Sequence, residues 1–184
     1  MTDFSNYLAS LPSSPLVEAV SAIYEGLSSD RRVVYCHDYH EDGVPELCHA
    51  MKSGNDDAID YMAREMARYV SPGTTLIPVP NRNGTATTTK KLAGTIAWYA
   101  GCDVADILRG ASRKKSLYDM KKEGMSVSAD MLGLYVEGDV PANPVLVDNV
   151  VATGTTAMAA MRVIPNAKIL AFAMDEPAYH PVNR

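Results

Sequence analysis

The residues best equipped for chemistry lie in one run, VLVDNVVATGTT, residues 145–156. An apolar stretch ending in Asp148 and Asn149 reads as a buried strand that delivers two hydrogen-bonding side chains at its carboxyl end. Small and hydroxylic residues, Ala152 and Thr153 among them, lead from there straight into a helical segment. A turn at a helix N-terminus is an anion cradle, because unpaired backbone N–H groups point outward with the positive end of the helix dipole. Gly154 permits close backbone approach, and Thr153, Thr155 and Thr156 add hydroxyl donors. A phosphate monoester suits such a cradle. Asp148 and Asn149 can accept hydrogen bonds from sugar hydroxyls, or hold a Mg²⁺ through water. The plainer alternative is an ordinary strand–turn–helix with Asp148 as a cap. Neither a G-x-x-x-x-G-K-[ST] loop nor a G-x-G-x-x-G fingerprint occurs.

Three other groups carry polar chemistry. Arg109, Arg113, Lys114, Lys115, Lys121 and Lys122 place six of the 17 basic residues within 14 positions. A solvated charged face accounts for them, and so does a lid whose cations meet a phosphate or pyrophosphate. Nucleic-acid binding fits less well, since only Tyr118 interleaves the charges. Asn81, Arg82 and Asn83 form a polar loop after an apolar run, which reads either as an anion loop or as an Asn-Gly turn. Cys36, His37, His40, Cys48 and His49 invite a metal reading, but their spacing matches no finger or knuckle. Core cysteines with surface histidines explain them better.

The elements that must position these groups follow from periodicity. Ser14-Pro15 opens an amphipathic helix over 15–28. RRVVYCHDY, residues 31–39, reads as a strand, 45–52 as a short helix, and 56–70 as a helix capped by Asn55 with Ile59, Met62, Met66 and Tyr69 as its buried stripe. TTLIPVP is a short apolar strand, followed by a polar loop over 81–84 and a helix to about Ala100 that Gly101 stops. Residues 103–108 read as one strand and 132–137 as a weak one. The charged stretch 109–130 lacks periodicity and is long enough to be a functional, mobile loop. Pro144 to Val147 is a strand, Thr155 to Val163 a helix and Lys168 to Met174 a final strand. Strands alternating with helices imply a mainly parallel α/β sheet flanked by helices, with ligands beyond the carboxyl ends of the strands. Loops 80–85, 109–125 and 148–155 are the loaded ones.

Composition bounds the function classes. At 184 residues, 47% hydrophobic, the chain fits one compact globular domain. A net charge of −5 disfavours a general polyanion binder. Three cysteines point to a reducing compartment. The first basic residue is Arg31, and no apolar run approaches a membrane span. A cytoplasmic protein without a membrane partner is the expectation.

VLVDNVVATGTT resembles the phosphoribosyl-diphosphate (PRPP) signature of the type I phosphoribosyltransferases. LIPVPNRNG resembles that family's pyrophosphate strand and loop, and residues 109–125 stand where the family has its mobile catalytic loop. YHEDGVPELCHAMKSG, LIPVP and VLVDNVVATGTT in that order look like the ComF branch, the competence-associated phosphoribosyltransferase-like proteins. The resemblance implies PRPP-dependent phosphoribosyl transfer to a nucleobase, or its reverse from a nucleoside 5′-monophosphate, with Mg²⁺ carried by the substrate. It implies that Ala152–Thr156 holds the 5′-phosphate, that Asp148 and Asn149 hold ribose, and that Asn81, Arg82 and Asn83 hold pyrophosphate. Arg113, Lys114 and Lys115 would be catalytic lid cations, and Asp148 a water-mediated Mg²⁺ contact. An N-terminal helix and hood-like segment would occupy 1–70, the core 71–175 and a tail 176–184, with a homodimer left open. Three departures stand out. Asn149 replaces a second acid, Ala152 stands where purine-salvage members carry an Asp, and no Cys-rich module precedes the first strand. A PRPP- or nucleotide-binding regulator and a DNA-uptake accessory protein are the rival readings.

Overall fold

A computed structural model of the chain describes residues 33–175, with the side chains of Tyr118 and Lys121 outside the description. The helix expected over 15–28 and the tail 176–184 lie outside the described residues. In chain order the elements are β1 Val33–Asp38, α1 Val44–Lys52, α2 Asp56–Ala67, β2 Thr75–Pro78, α3 Thr88–Ala100 and β3 Asp103–Val104. Then follow β4 Leu108–Arg109, α4 Leu117–Lys122, a 3₁₀ turn Ala129–Leu132, β5 Tyr135–Val136, β6 Pro144–Val151, α5 Thr155–Val163 and β7 Lys168–Met174.

Five strands form one sheet in the order β1-β7-β6-β2-β3, and every pairing in it is parallel. The expectation of a parallel sheet flanked by helices is met. Parallel strands are covered on both faces and so read as continuous apolar runs. KILAFAM in β7 is such a run, buried from Ile169 through Met174. α2 and α3 pack on each other and bury Ile59, Met62, Met66, Leu92 and Ile96 to 2% exposure or less. Each such side chain contributes about 1.5–3 kcal/mol relative to an exposed one. Capping agrees with the sequence: Asn55 Oδ1 accepts from Ala58 N at 2.9 Å, and Gly101 takes the left-handed conformation that ends α3.

The topology fixes where a ligand belongs. From β2 the chain passes through α3 to β3, its neighbour on one side; from β6 it passes through α5 to β7, its neighbour on the other. β2 and β6 are adjacent, so the winding reverses between them. A crevice opens at such a switch point, outside the carboxyl ends of the strands. The loop after β2 and the loop after β6 are its two walls.

Three expectations about the elements are corrected. The strand over 103–108 is two, because the ladder to β2 ends with Ala105 N on Leu76 O at 2.8 Å and Ile107 N then folds back onto Ala105 O at 3.0 Å. β3 stays in the main sheet, while β4 pairs antiparallel with β5. β6 runs on to Val151 instead of stopping at 147, because the long strand β7 pairs with it as far as Met174. Asp148 and Asn149 are therefore inside the strand and not beyond it. The stretch 109–130 is not featureless: it holds α4 and the 3₁₀ turn. Residues 33–70 supply edge strand β1, paired to β7, and helix α2, packed on α3.

Candidate functional site

The first wall is built by β6 and α5. On its β2 side, β6 loses its partner after Val147, whose carbonyl takes the last bond from Val79 N at 3.0 Å. Asp148 to Val151 thus run along the sheet paired only to β7. Asp148 is half-buried, and its Oδ1 accepts from the backbone N of Asn149 at 2.8 Å. Burial pushes its carboxyl up to about 6, against the pull of the Asn149 and Val150 backbone N–H groups and of the Lys52 charge. Asn149 is 5% exposed. Beyond the strand, Ala152 is exposed, and Gly154 sits at φ 75° as the residue before α5. No side chain caps that helix, so its first N–H groups are unpaired within the chain, as at any helix start. Thr153 and Thr155 lie beside them with hydroxyls 3.0 Å apart.

The second wall is the loop after β2. Asn81 N donates to Thr85 O at 2.9 Å and Gly84 N to Asn81 O at 3.0 Å, closing a tight turn. The Asn81 amide donates to the Thr87 hydroxyl at the start of α3, and Thr89 Oγ1 donates to Val79 O at 2.6 Å, fixing α3 to the end of β2. Arg82 and Asn83 are exposed at the tip.

The basic stretch meets this second wall through its backbone. Gly110 N donates to Gly84 O at 2.9 Å, and Arg113 N to Arg82 O at 2.7 Å. Gly84 has φ +87°, and a Cβ there would stand 2.2 Å from the Gly110 carbonyl oxygen. Only glycine allows this approach. Arg113 is therefore not a cation on a free loop: its main chain is pinned and its guanidinium is half-buried, with burial pressing its pKa down. Lys114 is exposed, and Lys115 is paired with Glu123 at 2.5 Å. Arg109 is held by Asp106 at 2.8 Å and Glu137 at 2.9 Å and braces β4 and β5. The run of charges seen in sequence is thus several unrelated environments.

Among the described residues, four buried side-chain polar atoms have no hydrogen-bond partner: Asn149 Nδ2, Arg113 Nε and Nη1, and His37 Nε2. Such a group costs about 1–3 kcal/mol and calls for an explanation. Asn149 lies in the carboxyl half of β6, His37 near the carboxyl end of β1, and Arg113 on the loop bonded to the turn after β2. Among the described residues no group of three or more His, Cys, Asp or Glu side chains could hold a metal ion. Cys36 and Cys48 are buried, and burial pushes the Cys48 thiol up to about 12, as it raises Cys36. The sequence showed Asn83-Gly84 as a turn, but not that Gly84 abuts Gly110, nor that Glu41 turns back to bond His37.

No family model matches the chain, and no curated protein does. Among solved structures it is similar to an APRTase from Giardia lamblia in complex with 9-deazaadenine. The identity is 17% and the TM-score 0.41, over 68% of this chain and 71% of that one. A likeness of that size leaves the function to be argued from this chain's own residues.

Proposed function

We propose that the chain binds PRPP and transfers its phosphoribosyl group to a nitrogen nucleophile, a nucleobase, or runs the reverse from a nucleoside 5′-monophosphate. The observation that carries this reading is the placement of VLVDNVVATGTT at the switch point, with a half-buried acid on the strand and an open helix N-terminus after it. The 5′-phosphate would take the N–H groups and hydroxyls of Ala152 to Thr156. Asp148 and Asn149 would hold the ribose hydroxyls. Pyrophosphate would lie against Asn81, Arg82 and Asn83 and the Arg113 guanidinium. Its leaving would build charge that the unpaired Arg113 N–H groups stabilise. Ordering of both ends of the substrate then supplies much of the acceleration.

A protein-held metal does not suit one carboxylate beside an amide, but a metal brought on the diphosphate does. Mg²⁺ carried by PRPP would offset charge on the leaving group, and Asp148 would hold it through a water. The order of the three motifs supports a place in the ComF-like branch. One observation favours the regulator reading, namely Asn149 where the signature has a second acid. Titration calorimetry with PRPP and Mg²⁺, followed by pyrophosphate release across a nucleobase panel, tests both. Binding with release supports transfer, binding without release supports the regulator, and no binding sinks both.

A further inference from the structure

A nitrogen nucleophile that bonds to the anomeric carbon must lose its hydrogen, and the cradle has nothing to take it. Ala152, Thr153, Gly154, Thr155 and Thr156 are not bases, and Asp148 is committed to ribose. A base is needed only if the proposed phosphoribosyl transfer occurs, so its assignment rests on that transfer. The displacement also fixes a direction. The nucleophile enters on the face of the sugar opposite the leaving group. Pyrophosphate on the β2 side of β6 puts the acceptor on the other side, over the ends of β7 and β1.

His37 is there. It sits near the carboxyl end of β1 level with Ala173 of β7, which is level in turn with Val150, two residues past Asp148. Two strand spacings separate β1 from β6, about 10 Å, a span that a ribose and the first ring of a nucleobase can fill. The ring is held from two directions. Nδ1 lies 2.9 Å from Glu41 Oε2, and Glu41 Oε1 in turn accepts from Asp38 N at 3.0 Å. Its flank packs on Phe172, with ring centroids 4.9 Å apart. A carboxylate at Nδ1 fixes the hydrogen on that nitrogen and leaves Nε2 as the lone-pair acceptor. Nε2 is the ring atom without a partner and is itself buried; the 13% of the side chain open to solvent lies on the rest of the ring and its stem. The other charged groups at this edge are already engaged with each other, His40 Nε2 with Asp175 Oδ1 at 3.2 Å and Asp38 Oδ1 with His40 N at 2.7 Å.

We propose that His37, oriented by Glu41, is the general base for the acceptor, a nitrogen heterocycle whose attacking nitrogen carries a hydrogen. As the C–N bond forms, the anomeric C–O bond breaks and its electron pair leaves with pyrophosphate. The N–H proton passes to His37 Nε2, and Glu41 stabilises the imidazolium.

The experiment uses the full chain with PRPP, Mg²⁺ and the nucleobase panel. In His37→Gln the single-turnover rate should fall by roughly 10²–10⁴-fold, while PRPP affinity by calorimetry stays at the wild-type value. Glu41, half-exposed, can be changed without disturbing the core. Glu41→Gln should lower the rate by a smaller factor at unchanged PRPP affinity, and it stands alone if His37→Gln fails to fold. Imidazole added to His37→Ala should restore part of the rate. Unchanged turnover in both variants overturns the role of His37 and leaves phosphoribosyl transfer intact. An equal loss of rate and PRPP affinity makes His37 structural and overturns it as well. A wild type that binds PRPP yet transfers to no acceptor overturns both the base and the transfer.

Discussion

The strand–loop–helix at 145–156 and the basic stretch at 109–122 both gather polar side chains in a short run, yet they relate to their sequences in opposite ways. In the first, neighbours in sequence are neighbours in the site. The strand, the glycine and the helix start act on the same few ångströms, so residue order alone implies the geometry. In the second, neighbours part company. Arg109 braces β4 and β5 through Asp106 and Glu137, Lys115 turns to Glu123, and Arg113 joins the crevice wall, through Arg82. A contiguous motif encodes local physics, whereas the role of a charge run is set by partners far along the chain.

The comparison breaks first, and most severely, at Gly84. Gly84→Ala drives a Cβ into the Gly110 carbonyl at a positive φ, which should cost several kcal/mol, roughly 3 or more. Urea unfolding measures it. A loss under about 0.5 kcal/mol, typical of an indifferent surface site, would show that the two loops part freely. Next comes Arg113→Ala. Turnover should drop about 10²-fold, as for one well-placed donor, with PRPP affinity less affected. Lys114→Ala should do almost nothing. Equal effects of the two would restore the picture of an undivided cationic lid.

Asp148→Ala should weaken PRPP binding by roughly 10- to 100-fold, the worth of charge-assisted hydrogen bonds. pH sharpens the same point. Ribose hydroxyls need the ionised carboxylate, so affinity should fall about tenfold for each unit below pH 6 and level off above it. In the free protein the sign reverses. Folded Asp148 holds its proton more tightly than the unfolded chain, where Asp titrates at about 3.9. Its contribution to stability is therefore fully present below about pH 4 and lost as pH rises through 6. Asp148→Asn should flatten that slope in urea titrations run from pH 4 to 7. The smallest effect is that of Lys115→Ala, a surface pair worth roughly 0–1 kcal/mol, with turnover unchanged.

What could be read in the sequence was whatever depends on near neighbours. The Asn55 cap, the Gly101 stop, the buried stripe of α2 and the apolar run of β7 each follow from residues within one or two turns. The break between β3 and β4 could not be read, because β3 pairs with β2 and β4 with β5, partners that lie far along the chain in opposite directions. The extension of β6 depends on the length of β7. His37 drew attention only as one of several histidines and cysteines. Its partner Glu41 was in plain sight, but the turn after β1 that brings the two together is a tertiary outcome.

The junction of residues 82–84 with 110–113 also limits how this chain can vary. Two bonds, Gly110 to Gly84 and Arg113 to Arg82, set two loops side by side at fixed offsets. The side chains of Arg82, Asn83 and Thr85 face solvent, and packing does not constrain them. Length is not free. A residue inserted between 82 and 84, or between 110 and 113, shifts one bond relative to the other and moves Arg113 away from the crevice. A change on one loop would need a matching change on the other. The tolerance of loops for insertion therefore ends here, on two segments that a sequence places 25 residues apart and that the fold treats as one.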